Sequence, residues 1–253
     1  EVTFGGGGNN WNFYHLTFGD GQGTGTTTCT SSNSIIVNGN LIVASGYNLI
    51  GSKDFTTNGN VTGDGVINLT GDTFIAQDSG NFGGASKWTF NNLTFGSGSD
   101  NATTSKTRNG NIEVSEALTV AANHDLQAGS EIWELSGSGT PFVVSGTFEA
   151  QSSVFKYTSP SNATVTSATY YQLEMAPGSG GPIYYIATGT LTVNNHLYVG
   201  DGTNAVTVRG DTFAPTLDIV GNFEIRNNGS FIAPSGLNKF SVGGNWSNAG
   251  NFD

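Results

Sequence analysis

The chain has 253 residues, among them 38 glycines, with 36% hydrophobic, 11% aromatic and only 11% charged residues and a formal net charge of −11. Good helix formers are sparse while Thr, Val, Ile, Phe and Tyr are plentiful, which argues against a helical body; apolar residues spread over the whole length argue against disorder. The acidity opposes phosphate backbones and anionic membrane surfaces, so no nucleic-acid partner is expected, and without a run of 18 apolar residues no membrane insertion is expected within this segment.

In chain order, the opening EVTFGGGGNNW is not a signal peptide and reads as the interior of a repeat, which predicts a mature or excised piece of something longer. Next comes WNFYHLTFGDG at 11–21, whose aromatic, leucine and glycine rhythm returns as WTFNNLTFGSG at 88–98 and, more weakly, as TYYQLEMAPGSG at 169–180. Aligned on Leu16, Leu93 and Leu173, these phrases are each followed by a second, NLIV ending at Val43, ALTV at Val120 and TLTV at Val193, and by a third, FTTNGNV at 55–61, FVVSGTF at 142–148 and LDIVGNF at 217–223. Leu16 to Leu41 and Leu93 to Leu118 are 25 residues each, Leu173 to Leu191 only 18.

Within the phrases apolar residues occur largely at every second position, the period of a strand with one face inward. Asn-Gly, Asp-Gly and Gly-Asn pairs lie between them, residues that tolerate tight corners. The fold expected is all-β: a right-handed parallel β-helix of about a dozen coils of roughly 20 residues, a rod on the order of 60 Å at about 4.8 Å per coil. The alternative is a tandem of antiparallel β-sandwich modules. The solenoid is preferred because no linker separates the phrases and because NGNLIV, NGNV, VGNFEI and GGNW repeat a shorter motif. Residues 1–253 then form a single continuous solenoid of three degenerate units, about 11–87, 88–168 and 169–253. Matching Phe, Leu and Val should stack in interior ladders, and outward Asn and Thr should hydrogen-bond along the axis.

Residues with chemical potential are few. Cys29, the only cysteine, has no neighbouring base and no partner for an intrachain disulfide. His15, His124 and His196 lack metal-ligand spacing, and His124 and His196 are expected at turns. Asp20, Asp64 and Asp201 sit between glycines, and Asp72 and Asp211 follow one; they are read as turn residues, because the calcium-binding loop motifs are absent. GDGQGTG at 19–25 has alternating glycines but no following helix to bind phosphate. Glu113, Glu116, Glu131 and Glu134 form the densest acidic stretch, and Trp133 beside them suits sugar stacking or simply a partly buried position. TGTTTCT at 24–30 is a threonine cluster and not the flat file that ice binding needs. Seven N-x-S/T sequons, at Asn60, Asn68, Asn92, Asn101, Asn162, Asn228 and Asn245, are what such a composition produces by chance. No catalytic, cofactor-binding or metal-binding residue is assigned, no cofactor is expected, and the chain is read as not an enzyme.

NLTFGSG, ALTV, TLTV and VGGNWSNAGNF resemble the glycine- and asparagine-rich β-solenoid stretches of bacterial surface proteins, the large adhesins and autotransporter-like passengers. The resemblance implies an extracellular, cell-surface rod that displays, adheres or assembles into filaments. Neither EVTF nor GGNWSNAGNF looks like a polar cap, so the expected partners are neighbouring copies or adjoining repeats at the open end coils, together with surface glycans. The alternative function is a polysaccharide-binding or polysaccharide-degrading β-helix.

Overall fold

The computed structural model describes residues 10–30, 34–99, 101–236 and 239–253, and the backbone of the strand Val2–Phe4; of the opening EVTFGGGGNN, residues 1 and 5–9 lie outside the described residues. Among the described residues there are 30 strands and no helix. The pairings between strands are parallel, and the chain is a right-handed parallel β-helix of about 11 turns, not a set of antiparallel sandwiches. Contacts cluster into two compact units, Glu1–Glu131 with Val144–Phe148, and Ile132–Val143 with Glu149–Asp253.

In the first unit, Val37, Thr57, Ala76, Phe95 and Val120 are register partners on successive strands, so one coil takes 20, 19, 19 and then 25 residues. Their neighbours two positions earlier, Ile35, Phe55, Phe74, Leu93 and Leu118, form a second file, and every one of these ten side chains is buried. Between the files point Ile36, Thr56, Ile75, Thr94 and Thr119, which face outward and are half-buried. A strand that alternates in this way cannot dry its inner face alone; it does so by meeting the same face one coil away, and each Val, Leu or Phe so buried contributes roughly 1.5–3 kcal/mol. Aromatic partners stack: Phe55 and Phe74 lie 5.9 Å apart at 16°.

The second unit follows the same plan. Trp133, Phe155, Leu173, Leu197, Phe223 and Trp246 succeed one another in register, and Trp133 and Phe155 stack at 5.8 Å and 15°. The hydroxyls buried here are paired: Tyr170 donates to the Thr166 carbonyl at 2.9 Å, and Tyr157 accepts from the Thr166 amide at 3.3 Å.

The repeated aromatic–leucine phrase marks a corner. In Trp88–Phe95, Trp88 and Phe90 are inward, Asn91 and Asn92 turn the chain, and Leu93 and Phe95 point inward again on the next face. Leu16 and Leu93 occupy different faces: Leu16 pairs with Leu41, while Leu93 pairs with Phe74 and Leu118. The 25-residue interval is therefore one coil. In the third phrase the register partner of Leu173 is Leu197, and Leu191 pairs instead with Leu217.

Asparagine runs along corners as expected. Asn40 Oδ1 accepts the amide and side-chain N–H of Asn60 at 3.2 and 3.1 Å, Asn60 Oδ1 accepts the Asn81 amide at 2.8 Å, and His15 Nδ1 takes the same role beneath Asn40 at 2.9 Å. In the second unit Asn222 Oδ1 accepts the Asn245 amide at 2.8 Å. Glycine is obligatory at Gly63, whose φ is 127° and where a Cβ would lie 2.0 Å from the Val43 carbonyl oxygen of the preceding coil.

Replacing Asn60 by Ala removes one acceptor and one donor from the ladder and is expected to lower stability by about 1–2 kcal/mol. Asn68→Ala, at an exposed strand position, should change it by less than about 0.5 kcal/mol. Denaturant midpoints of the two variants check this.

Candidate functional site

The first unit carries a polar groove of about 490 Å³, lined among others by Ser79, Asn101, Thr103, Asn123, Asp125 and Thr147, and a second of the same volume beside Thr24, Thr26 and Asn48. Asn123 adopts φ 61° and turns the chain, and His124 directly after it begins a strand and points into the interior. Its Nε2 meets the Thr104 hydroxyl at 2.9 Å, and Gly96 leaves room for its ring. Burial lowers the pKa of His124, against the opposing pull of Asp125 and Asp78. The expected turn thus precedes His124. His196 lies inside the strand Thr190–Val199, its Nε2 accepts from Asn222 Nδ2 at 2.9 Å, and its ring stacks on Tyr198 at 5.4 Å.

The aspartates are engaged locally. Asp20 accepts the Gln22 amide at 2.9 Å, a turn contact. Asp201 accepts the Thr203 and Asn204 amides, both at 2.7 Å; slight burial pushes its pKa up, and these bonds together with the Asn204 side chain outweigh it and leave the carboxyl below its usual range. Asp64 pairs with Arg108 and Asp72 with Lys53 at 4.0 Å. Asp211 holds Arg209 by two bonds, Nε to Oδ1 at 2.9 Å and Nη2 to Oδ2 at 2.6 Å, and the hydrogen bonds from Arg209 lower its pKa. Glu113 pairs with Lys87 at 2.7 Å. Among the described residues no group of three His, Cys, Asp or Glu side chains could hold a metal ion.

Trp133 is 0% exposed and stacked on Phe155, which overturns its reading as a sugar platform: the pattern Ile132–Leu135 turns Trp133 and Leu135 inward and Glu134 outward. Cys29 is equally buried, and burial pushes its thiol up to about 12.

Two features carried no sequence signal. Lys106 occupies an inward file position next to Phe82, where Gly83 leaves space for it, and its Nζ donates to the carbonyls of Thr107 and Arg108 at 3.1 and 2.9 Å. Burial lowers its pKa to about 8, against the attraction of Glu131. In the second unit, Phe213 stands exposed beside Tyr185, with ring centroids 6.1 Å apart at 64°, next to the Arg209–Asp211 pair.

Comparison with known protein families, with curated proteins and with solved structures finds no match to this chain. No helix is long and apolar enough to cross a membrane among the described residues.

Thiol reagents at pH 8 should leave Cys29 unmodified in the native protein and modify it fully once denaturant is added; rapid native labelling would contradict its burial. The Lys106 pKa is depressed on folding, so between about 8 and 10.5 the unfolded chain binds more protons than the native one and stability rises with pH. The unfolding free energy of wild type minus that of Lys106→Met should therefore increase across this window and level off above it, as read from denaturant titrations at successive pH values.

Proposed function

We propose that this chain is an extracellular structural or adhesive repeat module of a bacterial surface or filament-forming protein, whose last coil is covered by a neighbouring copy or by an adjoining repeat. The observation that carries the reading is the last coil of the second unit. Its strands Phe240–Val242, Trp246–Asn248 and Asn251–Phe252 each pair in parallel with the preceding coil, through Leu217, Phe223 and Phe231, and have no partner on the other side among the described residues. Such an edge presents unpaired N–H and C=O groups to any strand of matching direction.

The side chains on this coil support the same reading. Trp246 is 46% and Phe252 37% exposed, with ring centroids 4.7 Å apart, and both pack on Phe240. In earlier coils the corresponding residues, Phe223, Leu217 and Phe231, are wholly buried. A polar end would carry charge at these positions; this one carries aromatic rings that a further coil would cover. The first coil is built from short strands of the same kind, Trp11–Phe13 and Leu16–Phe18, each in parallel register with the coil that follows. A contact between two different ends is heterologous, the kind that builds a filament or a surface array when its rotation does not close.

Sedimentation velocity from about 1 µM to about 500 µM should show association that grows with concentration. Trp246→Asp, which places a charge on the exposed coil, should remain monomeric throughout. Wild-type protein that stays monomeric at the highest concentration would overturn the contact between copies.

A further inference from the structure

On the second unit, Thr164, Tyr185, Arg209 and Ile232 stand in register on successive strands and face outward, while Ala163, Tyr184, Val208 and Phe231 beside them fill the interior. The loop after Arg209 brings Phe213 back over this file. Its ring is 43% exposed and meets Tyr185 at 64°, so that two aromatic surfaces form an open corner. A groove of about 220 Å³, lined by Thr164, Ala187, Thr188 and Phe213, runs along it.

The loop is held in a costly conformation. Ala214 has φ 50°, a left-handed geometry that an L-residue with a Cβ adopts at a penalty, while Pro215 next to it is buried. The penalty is incurred with Phe213 in solvent, so burial of that ring does not explain it. On the rim, Asp211 fixes the Arg209 guanidinium through two bonds, which presents a planar set of donors and acceptors already ordered before any ligand arrives.

We propose that this corner is a binding site for a neutral pyranose oligosaccharide. The C–H face of a pyranose is apolar and carries slight positive charge, which complements the negative face of an aromatic ring. Its hydroxyls both donate and accept, which matches the free edges of Arg209 and Asp211 and the Thr164 and Thr188 hydroxyls. An anionic ligand is disfavoured because Asp211 already neutralises Arg209 and the chain carries a net charge of −11. A protein partner would need about 800 Å² of surface, and Phe213 is the large exposed apolar side chain at this corner. Thr164, Tyr185, Arg209 and Phe213 are not on the last coil, which meets this file only at the strand of Ile232, and the proposal does not rest on self-association.

The test is isothermal titration of the full chain with cellohexaose, laminarihexaose, chitohexaose and mannohexaose, with the hexamer of galacturonic acid as the charged probe. At least one neutral hexasaccharide should bind with a Kd of about 1 mM or tighter. Phe213→Ala should weaken that binding about tenfold without lowering the Tm, and Tyr14→Ala, which removes an exposed ring from the first unit, should leave it unchanged. The proposal is overturned if no neutral hexasaccharide binds, if only the galacturonate hexamer binds, or if Phe213→Ala binds as wild type does. Trp246→Asp should bind the sugar normally, so that failure of the terminal-coil reading and failure of this one are separable.

Discussion

A coil of about 20 residues has no interior of its own. The inward residues of each coil become dry only when the next one lays the same face against them in parallel register, and this requirement shapes the rest of the chain. It demands apolar side chains at matching positions, as in Ile35, Phe55, Phe74, Leu93 and Leu118. It demands corners in which two or three residues reverse the inward–outward alternation, and here Asn91-Asn92 and Asn194-Asn195-His196 do so without ending the strand. It also demands that backbones pass closely at some corners, which restricts positions such as Gly63 to glycine.

The same constraint decides where chemistry can reside. Inward positions are committed to packing, and the polar residues found there are either paired or shifted in protonation: Thr104 with His124, Tyr170 with Thr166, Lys106 with two carbonyls. Outward positions on the strands are free to vary without touching the core, and loops between coils can grow, as the 210–215 loop does. Of the features that read as functional, the Tyr185–Phe213 corner is of this second kind, with Phe213 exposed on a loop that the interior does not require. The aromatic last coil is different: Phe240, Trp246 and Phe252 continue the inward files and are exposed because no further coil covers them among the described residues.

Much of the fold was legible in the sequence because a period of two survives in short phrases such as NNLTF and TLTV, and because Asn-Gly corners recur between them. Register was less legible. The 18-residue step from Leu173 to Leu191 follows the words of the chain and not its geometry, since Leu173 lies over Leu197, and the longer strand Thr190–Val199 spans two faces. Trp133 was open to two readings because a shift of one residue exchanges the inner and outer faces of EIWEL, and only the neighbouring coil, with Phe155, fixes which face is inside. Phe213 carried no signal at all: a lone phenylalanine in a loop has no periodicity, and its partner Tyr185 is brought to it only by the coiling. Lys106 was hidden for the same reason, as nothing local marks it as inward.

The central claim, parallel stacking in this register, is tested most directly by cross-linking on the outward file Thr56, Ile75 and Thr94. Adjacent coils lie about 4.8 Å apart, within reach of a disulfide, whereas positions two coils apart exceed the roughly 7 Å limit between Cα atoms. In the variant carrying Thr56→Cys with Ile75→Cys, mild oxidation should close a bond seen by peptide mapping, and in the variant carrying Thr56→Cys with Thr94→Cys it should not. Closure of the second pair, or failure of the first, would contradict the account.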